Sequence, residues 1–279
     1  MSDTRSGSTL LENLLSKSQE TFSVGELRLF ESYVNKGFFG HTLNWQCSCG
    51  ETFDECLFWS KVTKDLNFEY GYDKVYNTVI QTKSSKNKYY KYFDIGTELI
   101  ENEINQKAYE YLNALYQCIF KHSKGDIIID SSKEPQQALA VYKKLKFDVK
   151  VIFLKRDICD VVFSKKKWNK GNKYHILLNS KIYDIRCRKV FSKIAPKDKL
   201  YIRYEELSKD PQKLINQITG KFGLKPYEAP EYMFIENDHT IAGTPNKTKK
   251  RKIKYDNKWK NKIKENKTFS FLAKLIDIN

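Results

Sequence analysis

A polar, glycine-bearing stretch near the start of the chain, Thr4-Arg5-Ser6-Gly7-Ser8-Thr9, runs directly into a helical pattern at Leu10, Leu11, Leu14 and Leu15. Successive backbone N–H groups at such a turn, set at a helix N-terminus, form a nest for an anion. Ser8 and Thr9 add hydroxyl donors, and Arg5 adds a planar cation. The chemistry this suits is the holding of phosphate or sulfate. Ser and Thr at a helix start also act as ordinary N-caps, so the nest needs partners elsewhere to count as a site. No Gly-Lys-Ser/Thr follows at Walker A spacing, which removes the main support for a nucleoside triphosphatase or a P-loop kinase. A second group is Cys47-Ser-Cys49-Gly50 followed by Cys56. These soft ligands suit structural zinc if a fourth comes from His41 or elsewhere; a disulfide, or free thiols in a compact loop, are the alternatives. Cys118, Cys159 and Cys187 fall singly in apolar or mixed runs and read as buried thiols.

The charge points the same way as the nest. The 279 residues carry 50 Lys and Arg against 34 Asp and Glu, a net charge of +16. The excess is focused in Thr244–Lys267, with eleven basic residues against two acids, and in Lys143–Lys167, with nine against three. Such focusing favours a polyanion, a nucleotide or an acidic surface as partner. Nucleic acid is disfavoured, because no zinc-finger, RRM or helix-turn-helix spacing accompanies the charge. A hydrophobic content of 40% with only 12 Gly and 6 Pro excludes collagen-like, mucin-like and fully disordered chains. No apolar run is long enough to span a bilayer, and Arg5, Glu12 and Lys17 interrupt any signal-peptide core. A cytoplasmic location is expected.

These residues must be positioned by regular elements. Ile100, Ile104, Ala108, Tyr111, Leu112, Leu115 and Ile119 recur at helical spacing and predict an amphipathic helix of about 24 residues. Asp126–Asp130 and Val149–Lys155 are apolar runs bounded by polar residues, and Lys199–Arg203 is a third; they read as buried parallel strands. Helices are expected from about Glu134 to Lys144, through Val161 and Val162, and from about Pro211 to Phe222. Strand alternating with helix means an α/β fold with a parallel sheet, and ligands bind beyond the carboxyl ends of such strands. That rule directs attention to Asp130–Lys133, Arg156–Ser164 and Tyr204–Glu205. The chain reads as a single domain, 1–279. Residues 61–95, aromatic and rich in Lys and Asn without clear period, read as an insertion beside the site. Residues 237–279 read as a basic C-terminal segment with a short helix around Trp259.

RSGSTLL at 5–11 resembles the 5'-phosphosulfate loop of sulfotransferases that use 3'-phosphoadenosine-5'-phosphosulfate (PAPS). Further matches follow in order: Gly25-Glu26-Leu27-Arg28; Cys47-Ser-Cys49-Gly through Trp59, as in bacterial-type members; Asp130-Ser131-Ser132-Lys133; Leu154-Lys155-Arg156-Asp157 with Ser164, similar to the 3'-phosphate motif; Tyr204-Glu205-Glu206-Leu207; and His239 through Lys247, similar to His-x-x-x-Gly-Asn-Pro-x-Arg. Any one is weak, whereas seven in order are strong. The resemblance, nearest to the bacterial-type and protein- or glycan-modifying branches, implies a P-loop-like, three-layer fold around a central parallel sheet.

It also implies roles. Arg5, Ser6, Gly7, Ser8 and Thr9 would hold the 5'-phosphosulfate, with Arg5 offsetting charge on the bridging oxygen as the bond to sulfur breaks. Arg156 and Ser164 would converge on the 3'-phosphate, aided by Tyr204 and Lys247. Glu26 would be the general base that takes the acceptor's proton, with Arg28 orienting it or touching the sulfate. Asp130, Ser132, Lys133 and Glu205 would support the site, and no catalytic metal is implied. The acceptor would be a hydroxyl on a small molecule, a glycan or a protein tyrosine. A catalytically impaired, basic nucleotide- or polyanion-binding protein with the same fold is the alternative. Two departures bear on it. The family places an apolar strand just before the phosphosulfate loop, and only Met1-Ser2-Asp3 precede it here, so the centre of the sheet is expected to lack a strand. Lys247 stands where the family has arginine, keeping the charge but losing the bidentate fork.

Overall fold

Gly7, at φ 96°, turns the chain into helix α1 (Ser8–Leu15), and its carbonyl accepts from Leu10 N at 2.9 Å and Leu11 N at 3.1 Å. The computed structural model describes residues 1–34, 46–70, 99, 101–167, 171–233, 239–242, 250–255 and 267–278. After α1 come β1 (Thr21–Gly25), a 3-10 turn (Leu27–Leu29), α2 (Phe30–Val34), α3 (Trp59–Tyr70), α4 (Glu103–His122), β2 (Ile127–Asp130) and α5 (Pro135–Lys144). The second half holds β3 (Val151–Lys155), α6 (Ile158–Lys166), α7 (Lys173–Ser192), β4 (Lys199–Arg203), α8 (Tyr204–Lys209), α9 (Pro211–Phe222), a two-residue antiparallel ladder of β5 (Tyr232–Met233) with β6 (Arg251–Lys252), and α10 (Lys267–Ile278).

Local chemistry explains the boundaries. Asn102 caps α4 by accepting from Asn105 N, and Asp157 caps α6 by accepting from Cys159 N and Asp160 N. Asp210, Pro211 and the left-handed Gly223 bracket α9 as cap, first-turn proline and C-terminal stop. Two of the resulting apolar clusters join these elements. Val24, Phe30, Trp59, Leu115 and Ile119 join β1, α2, α3 and α4. Leu14, Leu154, Ile202, Ile215 and Ile218 join α1, β3, β4 and α9.

Strands β1 to β4 are parallel, as expected from the sequence, and the fold is α/β. Among the described residues they form two pairs: β1 with β2, and β3 with β4 in register from Val151↔Lys199 to Lys155↔Arg203. Between β2 and β3, Met1 adds backbone bonds, its amino group donating to Ile152 O at 2.6 Å and its carbonyl accepting from Leu154 N at 3.0 Å. The rest of that space is a cavity of about 360 Å³, lined by Ile127, Ile128, Val149, Ile152, Val141 and Leu11 among others. Residues Ile127–Asp130 are accordingly half-buried rather than buried.

Other expectations shift. Residues 61–70 belong to α3, whose Val62 and Leu66 are fully buried; 71–98 lie outside the described residues. The end of the basic segment is α10, which packs Phe269 and Ala273 against Ile158, Val162 and Leu177. The helix expected around Trp259 lies outside the described residues. Cys118, Cys159 and Cys187 are buried and unbridged.

Candidate active site

Two charge networks lie at the carboxyl ends of the two strand pairs. In the first, the loop Arg5–Gly7 meets the end of β3. Arg5 has φ 68°, a left-handed backbone that a residue with a Cβ adopts only under constraint. Its Nε donates to Ser164 Oγ at 3.2 Å, and its carbonyl accepts from Arg156 Nη1 at 3.0 Å. The Arg156 guanidinium lies 4.2 Å from the Tyr204 ring centre and pairs with Asp160 at 3.2 Å. Gly7 is required here: a Cβ on it would meet Tyr204 Cδ2 at 2.3 Å. Glu205 accepts from Asp157 N at 2.9 Å and so fixes the start of α6, which carries Ser164. Ser6 and Thr9 are buried, while Ser8 faces the cavity between β2 and β3. Burial, then the neighbouring charges of Arg156 and Arg251, lower the Arg5 pKa, and burial pushes the Asp160 carboxyl up to about 6. Adding negative charge from outside would relieve the like-charge cost on both guanidiniums.

The second network surrounds Glu26, just past β1. Its Oε1 accepts from Lys133 Nζ, and its Oε2 from Arg28 Nη2 at 3.1 Å. Burial pushes this carboxyl up, but the charges and hydrogen bonds of Lys133 and Arg28 outweigh it and hold the group below the usual carboxylate range. Asp130 and Ser132 fasten the turn that carries Glu26 and Arg28. Asp130 Oδ1 accepts from Ser132 N at 2.7 Å and Leu27 N at 3.4 Å, Oδ2 accepts from Tyr116 OH at 2.6 Å, and Ser132 Oγ accepts from Arg28 N at 2.9 Å. On its other side Glu26 N donates to Ile241 O at 3.0 Å.

Of the residues singled out in the sequence, Arg5, Gly7, Arg156, Ser164 and Tyr204 therefore meet in one network, and Glu26, Arg28, Asp130, Ser132 and Lys133 in the other. Lys247 and His41 lie outside the described residues. Helix α7 joins the two networks and had no signal in the sequence. Its Tyr183 hydroxyl donates to Lys133 O at 2.6 Å, and its Ser180 accepts from Lys165, which also holds Asp3 beside the loop. Asp160 was missed as well, although an acid in the first turn of a helix, four residues after an arginine that precedes that helix, is a readable pairing signal. Cys47, Cys49 and Cys56 gather around His239, with the four ligand atoms within 4.8 Å of one another.

Comparison with known proteins follows this geometry. The sulfotransferase domain of the Synechococcus PCC 7002 olefin synthase is similar over 94% of this chain and 85% of that domain, with TM-score 0.56 and 17% identity. The sulfotransferase domain from the curacin biosynthetic pathway is similar over 82% of this chain and 76% of that domain, with TM-score 0.47 and 18% identity. At such identities the likeness is one of fold. No curated protein matches the chain. The model of the sulfotransferase family (Sulfotransfer_3) matches residues 2–229, a stretch that takes in both charge networks, and the chain belongs to this family.

Proposed function

We propose that the protein transfers a sulfuryl group from PAPS to a hydroxyl acceptor. The observation that carries this reading is the convergence of Arg5, Arg156 and Ser164 on a glycine turn at the N-terminus of α1. These residues fit an anionic donor: two guanidiniums share one region, and a glycine there admits close backbone approach. When bound, PAPS supplies the sulfuryl group and a bisphosphate leaving group. The first N–H groups of α1 and Arg5 hold the phosphosulfate, and Arg5 stabilises charge that grows on the bridging oxygen. Arg156 and Ser164 hold the 3'-phosphate, with Tyr204 bracing the Arg156 plane and Lys247 adding charge. Glu26 takes the acceptor's proton at Oε1 or Oε2, Lys133 and Arg28 fixing the carboxylate in its ionised form. Asp130, Ser132 and Glu205 position these groups. The acceptor is a small molecule, a glycan or a protein tyrosine.

Two structural readings go with it. The strand pairs are the flanks of one P-loop-like central sheet within a single three-layer domain. The six unbridged cysteines suit a reducing, cytoplasmic compartment, and no described helix is long and apolar enough to cross a membrane.

A second reading, a nucleotide- or polyanion-binding protein with impaired catalysis, is favoured by one observation: a carboxylate doubly paired with cations is a weak base. An initial-rate assay with PAPS and phenolic, sugar and alcohol acceptors separates the two. Transfer to at least one acceptor class supports the enzyme. Tight binding of 3'-phosphoadenosine-5'-phosphate with no transfer to any class supports the binding protein, and magnesium-dependent phosphoryl transfer would overturn both.

A further inference from the structure

Cys47, Cys49, Cys56 and His239 sit on two segments nearly two hundred residues apart in sequence, and neither charge network uses them. Their ligand atoms lie within 4.8 Å of one another, with His239 Nδ1 at 3.7 Å from Cys47 Sγ and 3.2 Å from Cys56 Sγ. A tetrahedral zinc with ordinary Zn–S and Zn–N bonds sets such S···N separations at about 3.6 Å. The backbone is arranged for the purpose. Gln46 and Thr52 form an antiparallel bridge, and Cys47 N donates to Glu51 O at 2.9 Å. Gly50 makes the turn at φ 98°. The His239 ring is held between Phe22 and Phe58, with centroids 6.4 and 5.3 Å away, and its carbonyl accepts from Trp59 Nε1 at 2.7 Å. The imidazole is thereby aimed at the sulfurs before any ion arrives.

We propose that these four residues bind one zinc ion as a closed, structural Cys₃His site. Three thiolates and one imidazole in a tetrahedral set select zinc over magnesium or calcium and leave no open position for catalysis. The site's place in the fold gives it a task. Directly after His239, Ser48 N donates to Thr240 O at 3.1 Å, Ile241 N donates to Val24 O at 3.0 Å, and Glu26 N donates to Ile241 O. Zinc thus clamps the 239–242 segment onto the end of β1, where Glu26 begins, and anchors the chain that leads on to Lys247.

The test needs neither donor nor acceptor, so its outcome is independent of the sulfuryl-transfer reading. The full chain, purified without added metal, is assayed for zinc, then stripped and reloaded with cobalt(II). Stoichiometric zinc, and a cobalt spectrum with thiolate charge-transfer and tetrahedral ligand-field bands, are expected. Cys56→Ser and His239→Ala should each cut metal content at least tenfold, His239→Cys should restore it, and Cys118→Ser should leave it unchanged. If a variant fails to fold, the wild-type cobalt spectrum decides alone. A folded wild-type chain that holds no zinc, or a cobalt spectrum without thiolate bands, overturns the site.

Discussion

Around Arg5 and Arg156 two guanidiniums crowd one region, whereas around Glu26 a single carboxylate is enclosed by Lys133 and Arg28. The first group sets two guanidiniums against Asp160, itself pushed up to about 6, with the carboxylates of Asp157 and Glu205 nearby. The second sets two cations against one carboxylate that is paired at both oxygens. In the proposed function this difference divides the tasks, with the Arg5–Arg156 end taking the anionic donor and the Glu26 end the acceptor hydroxyl. The rigidity of the two ends differs in kind as well. The first rests on stacking and on the glycine contact with Tyr204, the second on backbone bonds that tie β1, β2 and the 239–242 segment together.

The largest effect should come from the Glu26 end. Glu26→Gln keeps the size but cannot take a proton, so initial rates should fall about 10²–10⁴-fold, while calorimetric affinity for 3'-phosphoadenosine-5'-phosphate stays nearly constant. Because the substitution also strips Lys133 and Arg28 of a buried partner, rates are compared at equal folded fraction. A variant that keeps most of its turnover would remove Glu26 from the chemistry.

At the Arg5–Arg156 end the loss should appear in binding. Arg156→Ala should weaken the bisphosphate by about 1.5–3 kcal/mol, the range of a charge-assisted contact. Equal affinities of the two proteins would take Arg156 out of the site.

A third prediction concerns the gap between the two ends. Five alternating apolar residues placed ahead of Met1 should fill part of the β2–β3 cavity and satisfy strand-edge groups worth about 1–3 kcal/mol each when buried unpaired. The urea midpoint and the initial rate should both rise. An unchanged midpoint and rate would show that β2 and β3 need no strand between them.

The smallest effect is in pH. The folded-state pKa of Asp160 is raised to about 6, so as pH falls from neutrality through 6 the folded form takes up a proton and gains stability from this residue. Glu26 has the opposite sign: its depressed pKa gives stability that is present above the usual carboxylate range and lost as pH falls below it. Protonating Asp160 also releases Arg156, so affinity for the bisphosphate should rise a few-fold below pH 6. Asp160→Asn should flatten that rise and tighten binding at pH 7.5. A variant with the wild-type pH profile would contradict the competition between Asp160 and the ligand.

Much of the positioning was legible because it rests on short-range patterns. Lys199–Arg203 and Pro211–Phe222 appear with the boundaries expected, since an apolar run and an Asp-Pro cap fix them locally. Arg5, Gly7, Arg156 and Ser164 were legible as types in order, and their convergence follows from the parallel strands. What escaped notice depends on long-range packing. Helix α7 intersperses its buried Ile176, Leu177, Cys187 and Val190 with polar and ionic contacts such as Lys155–Asp184 and Tyr183–Lys133, so its period was hidden. Helix α3 alternates Lys, Asp and Asn with the few residues that reach the core. His239 lies about 180 residues from Cys56, and no local spacing announces it as a ligand.

The separation of the two ends is tested most directly by a double cycle on the Arg5–Arg156 end. Binding of 3'-phosphoadenosine-5'-phosphate and of adenosine 5'-monophosphate, which lacks the 3'-phosphate, would be measured by calorimetry on the wild type and on Arg156→Ala. If Arg156 grips that phosphate, either change alone should weaken binding by about 1.5–3 kcal/mol, and both together by little more than one. Losses that simply add would place Arg156 elsewhere and contradict the assignment of this end to the donor.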